Sequence, residues 1–188
     1  MFGRRSWDTV DQDMTNTEIP IDSPLGARID LAVTRFGEAG LVGKAVGLLD
    51  GRNEGDDVLL YVGGRHAQGV LDGAPALYWP ELWGARALLH VWDDSATPAI
   101  LRGTTNQAWR VREMSLRVCA ERRIGDESQI ARLATDDNPR VRAAAARVLA
   151  AVGTAASEEI IGRLLRDPQK DVRRAAGESI AALKERLS

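Results

Sequence analysis

The sequence predicts an all-α fold in which helical pairs stack into an α-α superhelix, a solenoid of about five pairs. Residues 106–112, 136–142 and 167–173 superimpose, with Val111, Val141 and Val172 falling 30 and 31 residues apart. Arg112, Arg142 and Arg173 keep the same step, as do Asn106, Asp136 and Asp167. A fixed period of this length marks a stacked helical repeat rather than a closed globule. Composition agrees: aromatic content is 5%, and Ala, Leu, Val and Arg dominate the second half, where strand-favouring residues are sparse.

The chain divides into three parts. Residues 1–24 are polar and acidic and end in Ile19-Pro20 and Ser23-Pro24, so a disordered lead-in is expected. Arg4-Arg5 has no hydrophobic region behind it, and no apolar run approaches the roughly 20 residues of a bilayer span. A soluble, cytoplasmic chain without a membrane partner is therefore expected. Residues 25–95 read as divergent helical repeats forming an N-terminal cap. Helices are expected over residues 29–36 and 41–49, although Gly37, Gly40, Gly43 and Gly47 blur their bounds. One further helix is expected over residues 56–71. Its partner is expected over residues 83–92, where Ala87 and Leu88 match Ser115 and Leu116.

Residues 96–188 read as regular repeats. In the first unit, residues 98–123, Ile100 is in register with Ile130 and Ile161. In the second, a helix through residues 127–134 meets the turn Asp136-Asp137-Asn138-Pro139, which supplies a cap and a proline for the first helical position. The following helix stops at Gly153. The third unit starts at Ser157, expected to cap a helix with Glu158 and Glu159 in its first turn. Its second helix begins near Lys170 and buries Val172, Ala175, Ala176, Ile180 and Leu183 at helical spacing.

Signals for chemistry are few. Cys119 is the single cysteine and sits at an apolar helix position, which suits a buried hydrophobe. His66 and His90 are the only histidines, and neither stands in a metal-ligand arrangement. The glycines form no phosphate loop, and no spacing identifies a triad. No catalytic residue, cofactor or metal is predicted. Net charge of −2 divides into −7 over residues 1–100 and +5 over residues 101–188, and many of the C-terminal arginines belong to the repeat itself. Tyr78, Trp79, Trp83, Trp92 and Trp109 gather most of the large aromatics. They read either as a recognition surface, with Trp109 beside Arg110 open to stacking, or as an apolar junction between irregular and regular repeats.

Asp136 with Val141-Arg142, Asp167 with Val172-Arg173, and the weaker copy Asn106 with Val111-Arg112 each precede a helix. On these residues the chain resembles HEAT-type repeat proteins, specifically the short HEAT-like class of phycobilisome-lyase-like sequences. The resemblance covers residues 96–188 well and residues 26–95 loosely. It implies a ladder between adjacent turns made by Asp136, Asp167, Arg112, Arg142 and Arg173. It also implies a non-catalytic scaffold that binds a protein partner through a concave helical face. Positions two and six after each register valine should lean away from the core: Glu113 and Arg117, Ala143 and Arg147, Arg174 and Glu178. Of these, Glu113, Arg117, Arg147, Arg174 and Glu178, with Trp109 and Arg110, are the expected contacts. The resemblance offers an alternative, a DNA-binding protein related to the HEAT-like alkylpurine DNA glycosylases. The pI near 5.8 and the acidic N-terminal half favour the protein partner over nucleic acid. No residue calls for the tetrapyrrole that the lyase class would imply.

Overall fold

Five helical pairs follow one another along residues 19–188, the part of the chain described by the structure, which is a computed structural model. They are α1 (Leu25–Phe36) with α2 (Glu38–Leu49), then α3 (Asp56–Gly63) and α4 (Arg65–Leu71) with α5 (Trp79–Ala87). After a 3-10 turn at Asp94–Ala96 come α6 (Thr97–Gly103) with α7 (Trp109–Arg122), α8 (Glu127–Leu133) with α9 (Pro139–Val152), and α10 (Ser157–Leu164) with α11 (Lys170–Leu187). No strand occurs among the described residues. The second helices α2, α5, α7, α9 and α11 pack side by side in that order as one layer. In the regular units α6, α8 and α10 each lie against the second helix of their own pair. The core runs between the layers, and the register residues Ile100, Ile130, Ile161, Val111, Val141 and Val172 are all wholly buried.

Each regular unit is shaped by the same turn. The side chains of Asn106, Asp136 and Asp167 accept the backbone N–H two residues on, at 2.8, 2.8 and 2.9 Å. An amide oxygen serves this turn as well as a carboxylate does, which is how Asn106 fits an otherwise acidic position. The carboxylates then do more. Arg112 donates Nε and Nη2 to Asp136 at 2.8 and 2.9 Å, and Arg142 does the same to Asp167 at 2.7 and 3.0 Å. Arg112, Arg142 and Arg173 each also donate Nη1 to two carbonyls of their own turn, at distances between 2.7 and 3.1 Å. The expected ladder is present, with bidentate rungs between units. Its carboxylates are well shielded, with the Asp167 side chain only 5% exposed.

A second arginine seam runs at the opposite helix ends. Arg122 of α7 donates to the carbonyls of Leu88 and Leu89, past the end of α5. Arg186 of α11 donates to the carbonyls of Ala150 and Gly153 at the end of α9. Each guanidinium meets orphan carbonyls at the negative end of a helix dipole. Helix α7 ends differently, on Arg123 in the left-handed conformation with the Ile124 N–H bonded to the Cys119 carbonyl.

The structure corrects several sequence expectations. The single helix over residues 56–71 is broken into α3 and α4 at Gly64, whose φ of +59° and ψ of −141° suit only glycine. Arg28 and Arg86 satisfy the carbonyls freed there, donating to Tyr61 and Val62 at 2.9 Å each. Helix α5 starts at Trp79 and stops at Ala87, so Trp92 lies beyond it, where its Nε1–H reaches Asp94 at 3.0 Å. Even so, buried Trp83, Ala87 and Leu88 match buried Val111, Ser115 and Leu116 at the 28-residue step read from the sequence. Ser157 is not a cap but the first residue of α10. It is wholly buried, and its hydroxyl donates to Glu127 of the preceding unit. Gly153 closes α9 in extended backbone, not the left-handed form. Glycine is needed there because a Cβ would meet the Leu149 carbonyl at 2.5 Å. The first 18 residues of the expected lead-in lie outside the described residues. Residues 19–24 are tied to α1, since Arg28 donates to the carbonyls of Ile21 and Ser23 at 3.1 and 2.7 Å.

Candidate functional site

The layer of second helices carries two groups of side chains that face outward. One is a band of rings and cations near the helix starts. His66 of α4 lies 4.3 Å from Trp79, and Tyr78 lies 5.2 Å from the same ring. Arg110 donates to the Tyr78 hydroxyl at 2.9 Å and holds its guanidinium 4.3 Å from the Trp109 ring centroid, with Arg140 of α9 at 6.0 Å from that ring. The band therefore spans α4, α5, α7 and α9. Trp83, 2% exposed, anchors it in the core beneath. The Trp109 ring is half-buried and covered by Arg110, so its position in the sequence beside an arginine turns into an intramolecular cation–π contact.

The other group runs along the helices themselves. Arg117 of α7 and Arg147 of α9 are exposed, 30 residues apart, and neither has a hydrogen-bonded or ion-pair partner among the described residues. Arg86 of α5 stands close to Arg117. Burial holds its guanidinium below the ordinary arginine value, and the positive charges of Arg28 and Arg117 push it the same way. Arg28, itself almost wholly buried, is likewise lowered by burial. Arg86, Arg117 and Arg147 thus bring one cation each to this layer from α5, α7 and α9, and the position matching Arg147 on α11 is exposed Glu178.

The Cys119 thiol is pushed up to about 12 by burial, so it offers no thiolate. Among the described residues, no three His, Cys, Asp or Glu side chains gather as a metal site. A shallow polar hollow of about 260 Å³ between α2, α5 and α6 is lined by Asp50, Glu81, Arg102 and Asn106, with Asp50 already paired to Arg102 at 2.8 Å.

Residues 128–187, from α8 to the end of α11, match the family model of HEAT repeats. Over those residues the chain carries HEAT-like repeats. The matched stretch contains the rung from Arg142 to Asp167, and the pair of α6 and α7 repeats the same geometry upstream with the rung from Arg112 to Asp136. HEAT repeats are generally protein-interaction scaffolds and typically non-catalytic. No curated protein matches the sequence.

The HEAT register sorts the expected contact residues. Arg117, Arg147 and Glu178 occupy one exposed row across α7, α9 and α11. Glu113 is half-buried, Arg174 is exposed and paired with Asp171 at 3.3 Å, and Ala143 between them is only 6% exposed. Ala143 therefore does not lean away from the core, because neighbouring second helices close over that position. Trp109 and Arg110 belong to the ring-and-cation band instead. The sequence reading placed Tyr78 in the aromatic cluster but passed over Arg86, Arg28 and Arg140 as part of these groups. Arg86 does carry a signal, a lone charge in the otherwise apolar run 82–89. Arg140 carries none, since only the fold brings it to Trp109.

Proposed function

We propose that this HEAT-like protein is a non-catalytic cytoplasmic scaffold that binds an acidic protein partner along the face of its second helices. The proposed contacts are Arg117, Arg147, Arg174 and Glu178, with Glu113, Trp109 and Arg110 at one margin, and the face is taken as the concave side of the stack. One observation carries the reading. Arg117 and Arg147 are register-matched and exposed, and no carboxylate among the described residues pairs with them, whereas Arg112 and Arg142 on the same two helices are fully engaged. Unpaired arginines on a rigid surface suit carboxylates supplied in trans, and pre-organised helices lower the ordering cost of binding. The nucleic-acid alternative draws on the same positive charge and on the aromatic band. It is weakened because Arg110 already occupies the Trp109 ring, and because the glycosylase motif has no residue-by-residue counterpart here.

The test places a photo-crosslinking amino acid at position 117 or 147, with exposed position 166 in the turn after α10 as control, in cells that naturally make the protein. One protein crosslinked from 117 and 147, retained after nuclease and lost with Arg117→Glu and Arg147→Glu together, is the expected result. Crosslinks from position 166 alone, or crosslinks to nucleic acid, would overturn it.

A further inference from the structure

Two arginines converge on the end of α3 without a carboxylate to meet them. Arg28 of α1 is 7% exposed and donates Nε to the Tyr61 carbonyl, and Nη1 to the carbonyls of Ile21 and Ser23. Arg86 of α5 donates Nη2 to the next carbonyl, that of Val62, while its Nε is buried and has no partner among the described residues. Gly64 leaves room for this, since a Cβ there would press on the Arg28 guanidinium. Arg117 of α7 stands close enough for its charge to act on Arg86, and it pairs with nothing among the described residues. Glu113, one turn earlier on α7, forms an ion pair with none of the three. The other shielded arginines among the described residues are compensated. Arg112 and Arg142 each hold an aspartate, and Arg110 and Arg122 lie against the faces of Trp109 and Trp92. Arg28 and Arg86 have neither.

We infer that Arg86 and Arg117, backed by the charge of Arg28, form a binding site for a dianionic phosphate group. Gathering like charges away from water costs stability, and neutral carbonyls return only part of it. An anion from outside the described residues restores the balance. A carboxylate, with a single charge, would leave most of the repulsion standing. A phosphate monoester carries about −1.5 to −2 at neutral pH, offers three acceptor oxygens, and matches the planar fork of a guanidinium. Two sources present this same group, a small phosphate ester and a phosphorylated side chain of a protein. The site shares Arg117 with the proposed partner-binding row. It draws otherwise on α1, α3 and α5 rather than on α9 and α11, so it stands whether or not an acidic partner binds that row.

The probe is methyl phosphate, titrated into the full chain by isothermal calorimetry with thermal melts in parallel. Saturable binding and a raised melting point are expected. Arg117→Gln, at an exposed position, should weaken binding roughly tenfold, and Arg86→Gln at least as much, while Arg166→Gln leaves it unchanged. Because Arg86→Gln also strips a donor from the end of α3 and can unfold the chain, Arg117→Gln is the deciding variant. Dimethyl phosphate and acetate, each with one negative charge, should bind far more weakly. A phosphoserine peptide with acidic flanks separates the sources. Tighter binding than methyl phosphate, with the excess lost in Arg147→Gln, assigns a phosphorylated protein, and equal binding assigns a small ester. The inference is overturned if methyl phosphate neither binds nor raises the melting point, if Arg117→Gln leaves binding intact, or if acetate or dimethyl phosphate binds equally well. Binding that appears only with Asp8→Asn, Asp11→Asn, Asp13→Asn and Glu18→Gln together would also overturn it, because the chain would then supply the anion itself. Crosslinking from position 147 reads the acidic-partner proposal separately from all of these outcomes.

Discussion

At Arg142 one guanidinium makes four hydrogen bonds, two to Asp167 in the next unit and two to the carbonyls of Asp136 and Asp137. The pairing raises the Arg142 value above the ordinary arginine range and holds the Asp167 carboxyl below the usual carboxylate range. Arg142→Ala leaves a shielded carboxylate without its partner and should cost about 3 kcal/mol in chemical denaturation. A double-mutant cycle with Asp167→Ala separates the pair from the turn contacts, and additivity would remove the rung from the account. The pH dependence follows from the sign of the shift. Because folding lowers the Asp167 value, the unfolded chain binds more protons in the acid range. The stabilisation is complete above about pH 4 and is lost as pH falls through the folded value. Asp167→Asn should therefore flatten the acid limb of a stability profile while lowering stability at neutral pH.

Among the elements, α5 depends on a glycine that sequence propensity would count against it. A Cβ on Gly84 would meet the Ala45 carbonyl at 2.5 Å, the Leu49 nitrogen at 2.8 Å and Leu48 Cβ at 2.9 Å, all on α2. The two helices thus approach to backbone contact, and backbone cannot move aside as a side chain can. Gly84→Ala should destabilise by roughly 2 kcal/mol. Gly162, inside α10, has open space around it, and Gly162→Ala should stabilise by about 0.5–1 kcal/mol through helix propensity alone. Thermal melts of the two variants should move in opposite directions. The same comparison explains which helix bounds were legible. Helices α7, α9 and α11 announce their starts through a turn aspartate or asparagine and a register valine. The break between α3 and α4 lies at one of two adjacent glycines, and nothing local says which adopts positive φ.

For the whole molecule, the unit of stability is the interface between neighbouring pairs, as expected of a stack. Removal of residues 154–188 deletes α10 and α11, strips the cover from α9 at Ala146 and Leu149, and takes Asp167 from Arg142. The shortened chain should aggregate, bind an apolar dye and melt on the order of 10 °C lower. A soluble, fully helical product with an unchanged midpoint would show that the pairs are more independent than their packing implies.

The period of 30 and 31 residues, the turn residues and the apolar register were enough to read the α-α stack, its regular C-terminal units and the rungs of the ladder. These are local and repeated features, and repetition turns weak helical signals into a strong one. The candidate site was legible only as a set of helix positions. That Arg117 and Arg147 stay unpaired among the described residues, that Ala143 is covered, and that Arg110 is spent on Trp109 and Tyr78 depends on which helices become neighbours and how closely they approach. So does the capping of α5 and α9 by Arg122 and Arg186, some thirty residues away along the chain. Charge and exposure are properties of the assembled surface, because a side chain's partner is chosen by distance in space, and that distance is set only when the pairs stack.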